Sequence, residues 1–297
     1  KGFIERPILG WGGENYNKIY YKYALPEHNG ITIQEAWFDR SHNQLVDVLG
    51  LYGAVGFILY CALWAALGVA VYRTAVRSSR RDALGMIMIG GALVSYFIQN
   101  LFVFDSTVPV VLFMTLTAFL IGIQPKSQHE ATQTARPQIA IVIMTTTAVS
   151  VSMLLYFANG VPFYKSTQGI AALNRISSSP EEAMQLIEQA LNTSAFVNPE
   201  LRRAFVSALP QLGALTDAGA KRATEEMEKS VREHPLEVRD LLSLASLYRL
   251  QGVNNSALFE KALETLQAAA AVAPHRLEVF YETALTYVSI GDESKAR

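Results

Sequence analysis

No charged residue occurs between positions 48 and 72, "VLGLYGAVGFILYCALWAALGVAVY". A helix over this stretch would run about 37 Å, past the ~30 Å hydrocarbon core of a bilayer. Residues 83–104, 108–123 and 139–158 are also free of charge, so the pattern predicts four membrane spans. The third is the shortest and carries Pro109 near its start. Beyond residue 159 the pattern changes. Residues 160–297 hold 14 Lys/Arg and 17 Asp/Glu, lack any long apolar run and spread their charges at helical spacing. The expected fold is therefore all-α: multi-pass transmembrane helices followed by a soluble helical domain. The boundaries are an outer loop segment at 1–42, a transmembrane domain at 43–159 and a soluble domain at 160–297.

Positive charge orients the spans. "RTAVRSSRRD", between the first two, contains Arg73, Arg77, Arg80 and Arg81, whereas "DST", between the second and third, carries Asp105 alone. The positive-inside bias assigns the arginine loop to the cytoplasm. Residues 124–138 then return to the cytoplasm, while residues 1–42, Asp105 and everything after about 159 lie outside the cytoplasmic membrane. Arg40 and His42 fall where the bilayer begins on that outer side.

Ser179, Pro180 and Glu182 in "SSSPEEAMQLIEQAL" predict a helix start, with Ser179 as N-cap, Pro180 at the first helical position and Glu182 completing a capping box. Farther on, "LASLYRLQG" (244–252) aligns with "TALTYVSIG" (283–291), placing Tyr248 over Tyr287 and Gly252 over Gly291, and Pro235 and Pro274 share the separation of 39 residues. This resembles the tetratricopeptide repeat with a five-residue insertion in "VNNSALFEK". Ala262, Leu266, Ala269 and Pro274 keep that family's second-helix spacing. Ala223, Met227 and Pro235 do so one unit earlier, with Ser230 in place of a small residue, and Leu241 or Phe280 occupies the family's tryptophan position. The last unit stops at "GDESKAR" and the chain opens on Lys1, so a fragment of a longer protein is expected.

Composition narrows the function classes. A chain that is 51% hydrophobic and only 17% charged, with positive mean hydropathy, belongs with membrane proteins. Its net charge of −1 shows no basic excess for binding phosphates, which argues against a nucleic-acid partner. The single cysteine, Cys61, has no partner for an intrachain disulfide and is expected to pack. His28, His129, His234 and His275 have no motif around them and are expected at the surface.

The segment "ERPILGWGGENYNKIYYKYALPEHNG" is rich in glycine and aromatic residues. Gly10, Gly12 and Gly13 around Trp11 suit a turn that lets backbone come close to another element. Trp11 and the tyrosines at 16, 20, 21 and 23 suit either an interfacial belt or a sugar-stacking surface. Gly50, Gly53 and Gly56, at every third position, most simply mean close helix packing.

"RPILGWGGENY", "SHNQLVDVLGLYGAVG" and the paired spans joined by "NLFVFDSTVPVV" resemble the C-terminal part of the O-antigen ligase and polymerase-like membrane proteins. That family shares His, then Asn, Ser or Gln, nine residues, then Gly-x-x-Gly, matched here by His42, Asn43, residues 44–52, Gly53 and Gly56. Phe57 and Ile58 replace the small residues that often follow. The resemblance covers roughly residues 1–125. It implies metal-independent transfer of a glycan from a polyprenyl-pyrophosphate donor to an acceptor hydroxyl or amine on a glycolipid, glycan or protein, with no cofactor.

Under that reading His42 is the general base and Asn43 orients it. Arg40 either holds phosphate or is a snorkelling anchor, and Arg6 is a weaker candidate. Asp105 either orients a sugar or an arginine, or is a helix-end charge in water. The repeat domain is expected to bind a protein partner, membrane lipid surrounds the spans, and an isolated fragment is expected to be inactive. The rival class is a non-enzymatic membrane anchor that holds a repeat scaffold for envelope assembly.

Overall fold

The computed structural model describes residues 1–25, 27, 38–123, 137–192, 195–208, 217–292 and 294–296. Every regular element among them is a helix, and the chain divides into two compact units, Lys1–Thr134 and Ala135–Arg297. His28, His129 and the predicted cytoplasmic return at 124–136 lie outside the described residues.

In the first unit two short helices, α1 (Gly2–Glu5) and α2 (Tyr16–Tyr23), lie against the long α3 (Gln44–Arg77), which is followed by α4 (Arg80–Asn100) and α5 (Thr107–Gly122). α3 and α4 each start on a side chain that satisfies free backbone N–H groups. The Asn43 carboxamide oxygen accepts from Leu45 and Val46 N–H, and Ser79 Oγ accepts from Asp82 N–H at 3.3 Å. Ser78 and Ser79 thus turn the chain sharply, and α4 runs back along α3. Leu67, Met86, Leu93 and Leu120 form the shared core, with Trp64 and Phe113 packed on it. Since His42 precedes α3 and Arg77 ends it, His42 and the arginine loop occupy opposite ends of that helix.

Among the described residues three helical runs are long and apolar enough to cross a membrane: Gln44–Arg77, Arg80–Asn100 and Gln138–Arg175. The predicted third span, α5, is apolar but has 16 residues. At 1.5 Å per residue it reaches about 24 Å, short of a full crossing without tilted neighbours or a thinned bilayer.

The second unit begins with α6 (Pro137–Leu155), which passes through one π-helical turn, Tyr156–Gly160, into α7 (Val161–Arg175). The change in composition places a domain boundary at 159/160, but the helix does not end there. Gly160 keeps right-handed helical angles (φ −63°, ψ −49°), and Val161 N–H bonds to the Tyr156 carbonyl five residues back. The widened turn falls immediately before Pro162, which has no N–H to place in the ladder.

From α7 onward successive helices pair as hairpins: α7 with α8 (Pro180–Leu191), α9 (Asn198–Ala208) with α10 (Asp217–Glu233), and α11 (Val238–Gly252) with α12 (Ala257–Val272), followed by α13 (Leu277–Ile290). Alternate helices α7, α9, α11 and α13 also touch in series. Ala172, Ile187, Phe205, Met227, Leu247 and Ala262 belong to one continuous core. This is the packing of hairpins that bury their apolar faces against their neighbours.

The repeat positions acquire individual reasons. Ala223, Met227, Ala262 and Ala269 are fully buried. A side chain at Gly252 would strike the ring of Phe259 within 2.6 Å, whereas Gly291 takes a left-handed cap at φ 86° over open space. The two aligned glycines therefore serve different needs. Ser230, the departure from the expected small residue, donates its hydroxyl to Asp240 Oδ2 at 2.7 Å, and Asp240 also pairs with Arg203, tying α9, α10 and α11 together. Pro180 opens α8 as expected, but the capping box does not form. Ser179 makes no side-chain cap bond, and the Glu182 carboxylate is drawn 3.1 Å from Arg175 instead. His234 and His275 are exposed.

Candidate functional site

The helix break at Gly53 organises the membrane unit. Gly53 has φ 65° and ψ −162°, angles that leave the helical region and that residues with a side chain avoid. They split α3 into residues 44–52 and 54–77, about 14 Å along from its start. A broken helix exposes carbonyls on one side and N–H groups on the other, which is costly at membrane depth unless protein satisfies them. The loop "PILGWG" does so. Trp11 and Gly12 N–H donate to the Gly50 and Leu51 carbonyls at 3.1 and 2.8 Å, and Ala54 and Val55 N–H donate to the Pro7 and Ile8 carbonyls at 2.8 and 3.2 Å.

The glycines make this approach possible. A Cβ at Gly10, itself at φ 70°, would lie 2.5 Å from the Leu51 carbonyl carbon, and one at Gly53 would lie 2.7 Å from Gly10 N. The expectation that Gly50, Gly53 and Gly56 mark close helix packing therefore needs correction at Gly53 and Gly56. Only Gly50 is packed in that sense, 3.4 Å from Ile19 of α2, while a Cβ at Gly56 would overlap Tyr52 one turn earlier.

His42 stands in the exposed corner just before α3, in a left-handed backbone conformation (φ 56°) uncommon for a residue with a side chain. Several bonds hold that corner. Ser41 N–H donates to Asp47 Oδ1 at 2.9 Å, Ser41 Oγ donates to the Asn43 carbonyl at 2.8 Å, and Asn43 Nδ2 donates to the Leu101 carbonyl at 2.9 Å. The His42 ring meets the edge of Phe104, centroids 5.3 Å apart, and makes no hydrogen bond among the described residues. Asn43 was expected to orient His42. Its side chain is instead occupied by the helix cap and by Leu101, so it acts on the backbone of the corner and not on the imidazole.

Asp105 arrives at the same end. It lies in the turn between α4 and α5, where Tyr96 donates its hydroxyl to Oδ1 and Gln44 Oε1 accepts from the Asp105 N–H at 3.4 Å. Together with the Asn43–Leu101 bond and the His42–Phe104 contact, this pins the α4–α5 turn to the start of α3. Asp105 is thus an anchored carboxylate and not a free helix-end charge.

The other candidates are already engaged with neighbours. Arg40 is half-buried and its guanidinium lies 2.6 Å from Glu14. Burial works against its charge, but the Glu14 bond and the nearby Asp47 outweigh that and raise its pKa. Arg6 stacks over Trp11 at 4.3 Å, with Lys22 over the same ring at 5.4 Å, and Trp11 Nε1 donates to the Gly2 carbonyl at 2.9 Å. Lys22 also bonds Glu5 at 2.6 Å, and the Lys22 and Tyr23 bonds lower the Glu5 pKa. This stack sits beside the helix break, because Trp11 N–H is one of its stitches. Of the tyrosines, Tyr21 is buried and Tyr20 packs on Phe38 at 4.3 Å.

No protein-family model, curated protein or solved structure matches this chain.

Asp47 is the residue that sequence reading passed over. It is 3% exposed, Oδ1 accepts from Ser41, and Oδ2 is buried without a hydrogen-bond partner among the described residues. With burial, its charge helps push the Tyr16 pKa up. The signal was a carboxylate in the first turn of an otherwise apolar helix, four residues beyond the N-cap. Replacing Asp47 by Ala leaves the Ser41 N–H without its acceptor and frees the His42 corner. The expected cost is about 1–3 kcal/mol, seen as a lower melting temperature of the detergent-solubilised protein. An unchanged melting temperature would show that the corner does not depend on this carboxylate.

Proposed function

We propose that this chain carries part of the catalytic face of a glycosyltransferase resembling the O-antigen ligases, acting on a polyprenyl-pyrophosphate-linked glycan at the outer face of the cytoplasmic membrane. The observation that carries the reading is the His42 corner: an exposed imidazole in a left-handed conformation, bound in place at the head of an apolar helix that breaks nine residues into its length at Gly53. Strained residues persist where the surroundings hold them, and they concentrate at functional sites.

The chemistry suits that place. The donor's polyprenyl tail stays in the bilayer and its pyrophosphate lies at headgroup level, so the reacting sugar carbon is presented where a span ends. The acceptor hydroxyl attacks that carbon, its proton passes to the neutral His42 imidazole, and the bond to the pyrophosphate oxygen breaks. The products are the glycosylated acceptor and polyprenyl pyrophosphate. Arg40, already near Glu14 and Asp47, is the candidate to balance charge on the leaving group. Asp105, anchored beside the corner, is the candidate to hold a sugar hydroxyl. The positive-inside bias supports an outward-facing His42, since the arginines occupy the opposite end of α3.

For the second unit, the serial hairpins and the buried small residues at the repeat positions support a tetratricopeptide-like array. Its proposed role is to bind a protein partner or acceptor and raise its local concentration.

The test is transfer by the full-length protein in membranes, using a labelled lipid-linked glycan and a hydroxyl-bearing acceptor. Acceptor-dependent loss of the donor, unchanged by a chelator, is the expected result. Donor that stays intact with every acceptor class would favour the membrane-anchor reading, and loss of transfer on chelation would require a metal.

A further inference from the structure

The α6–α7 run changes character without changing direction. From Gln138 to Phe157 it is an apolar rod whose side chains face outward, and about 20 residues of helix match the ~30 Å hydrocarbon core. Past the π-helical turn α7 has two faces. Pro162, Lys165, Gly169 and Ala172 are buried, while Phe163 is 73% exposed and Tyr164 and Ile170 are each 59% exposed. Phe163 and Ile170 stand seven residues apart and so share one helix face.

The single charged side chain between Tyr156 and Asn174 is Lys165. It points away from that face, into the hairpin, where its ammonium group donates to the Ala190 carbonyl and to Asn198 Oδ1 at 3.1 Å. Up to Asn174 the outward face of α7 therefore carries Phe163, Tyr164, Thr167 and Ile170 and no charge, the exposed Arg175 at its far end pairs with Glu182, and the face continues a helix long and apolar enough to cross a bilayer.

We propose that the Phe163–Tyr164 face of α7 is seated in the headgroup layer of the bilayer, so that the first helical hairpin, α7–α8, docks on lipid. Phe163 and Tyr164 follow Phe157 by six and seven residues, about 9–10 Å along the axis. The interfacial layer extends about 5–8 Å beyond the hydrocarbon core, and the two rings reach it through helix tilt combined with the lean of helical side chains back toward the N-terminus. Aromatic side chains favour that layer because their rings are amphipathic. Surface helices that bind through anionic lipid turn lysine and arginine toward the headgroups. With Lys165 turned inward, this one holds the membrane through ring burial alone and is indifferent to lipid charge.

The proposal is tested with nitroxide labels in the full chain, reconstituted into phosphatidylcholine vesicles with and without phosphatidylglycerol. Cysteines replace Val149, Phe163, Tyr164 and Asn174 one at a time in a Cys61→Ala background. All four sites are exposed, so labels there leave the packed face intact. Collision with oxygen relative to a water-soluble nickel chelate reports depth. Val149 should give the highest ratio, and Phe163 and Tyr164 should be several-fold above Asn174, with no change on adding phosphatidylglycerol. Ratios at 163 and 164 equal to that at 174, with 149 still deep, would overturn the docking alone. A low ratio at 149 would remove the span and the docking together. Exclusion of both reagents at 163 and 164 would assign the face to a protein partner and equally overturn the proposal, and a rise confined to anionic vesicles would refute the charge-independent mode.

Discussion

Gly53→Ala is expected to destabilise the membrane unit by at least about 3 kcal/mol, among the largest effects a single added methyl group can have. Two costs combine. The angles at Gly53 lie in a region open almost solely to glycine, and the new Cβ would strike the Ile8 carbonyl carbon at 2.5 Å and Gly10 N at 2.7 Å. Both obstacles are backbone, so neither yields as a flexible side chain would. Relief requires the 7–12 loop to withdraw, and withdrawal strands the Gly50, Leu51, Ala54 and Val55 groups that the loop satisfies. Gly10→Ala attacks the same joint from the other side, so the double variant should cost clearly less than the sum of the two single ones. Thermal unfolding in detergent and proteolysis of the 1–25 segment would show both effects. A Gly53→Ala protein with the parent's melting temperature would mean that the joint contributes little to stability.

That joint shows how far the sequence could be read. Charge-free stretches announce helices because nothing else in such a run can satisfy the backbone in lipid, and α3, α4 and α6 lie where the pattern put them. The 39-residue spacing of Tyr, Gly and Pro is legible in the sequence, but the two aligned glycines serve different needs, one making room for Phe259 and the other capping α13. The reason for Gly53 was not legible. A glycine that permits close packing and a glycine that breaks a helix look alike in one dimension, and the distinction depends on a loop more than forty residues earlier in the chain.

Asp47 was hidden for a related reason. Its partner, the Ser41 N–H, is a backbone group with no sequence signature. The continuous α6–α7 helix was missed because Gly160 and Pro162 are helix-ending signals in most contexts, and here a π-helical turn absorbs them. Of the candidate site, His42, Asn43 and Asp105 could be placed at one end of the spans from topology alone. The pairing of Arg40 with Glu14 and the Arg6–Trp11 stack depend on how the first twenty-five residues fold back on α3.

Replacing His42 tests the catalytic reading most sharply. A general base contributes about 10²- to 10⁴-fold to a rate, whereas an exposed imidazole that makes one ring contact contributes little to stability. The substitution needs care, because the corner at φ 56° is easier for Asn than for Ala. His42→Asn therefore keeps the backbone corner and removes the base, while His42→Ala also relaxes the corner. If the imidazole takes the proton, both variants lose transfer. If His42 matters only as a corner, Asn substitutes for it. Binding of the lipid-linked donor should survive in either variant, so the loss falls on kcat and not on KM.

The decisive measurement is the rate at which full-length His42→Asn, at matched levels in membranes, converts a labelled polyprenyl-pyrophosphate glycan into glycosylated acceptor and free polyprenyl pyrophosphate. A rate reduced about 10²- to 10⁴-fold with donor binding retained is the predicted result. Transfer at the rate of the unaltered protein would contradict the assignment of His42 as the base, and with it the central claim.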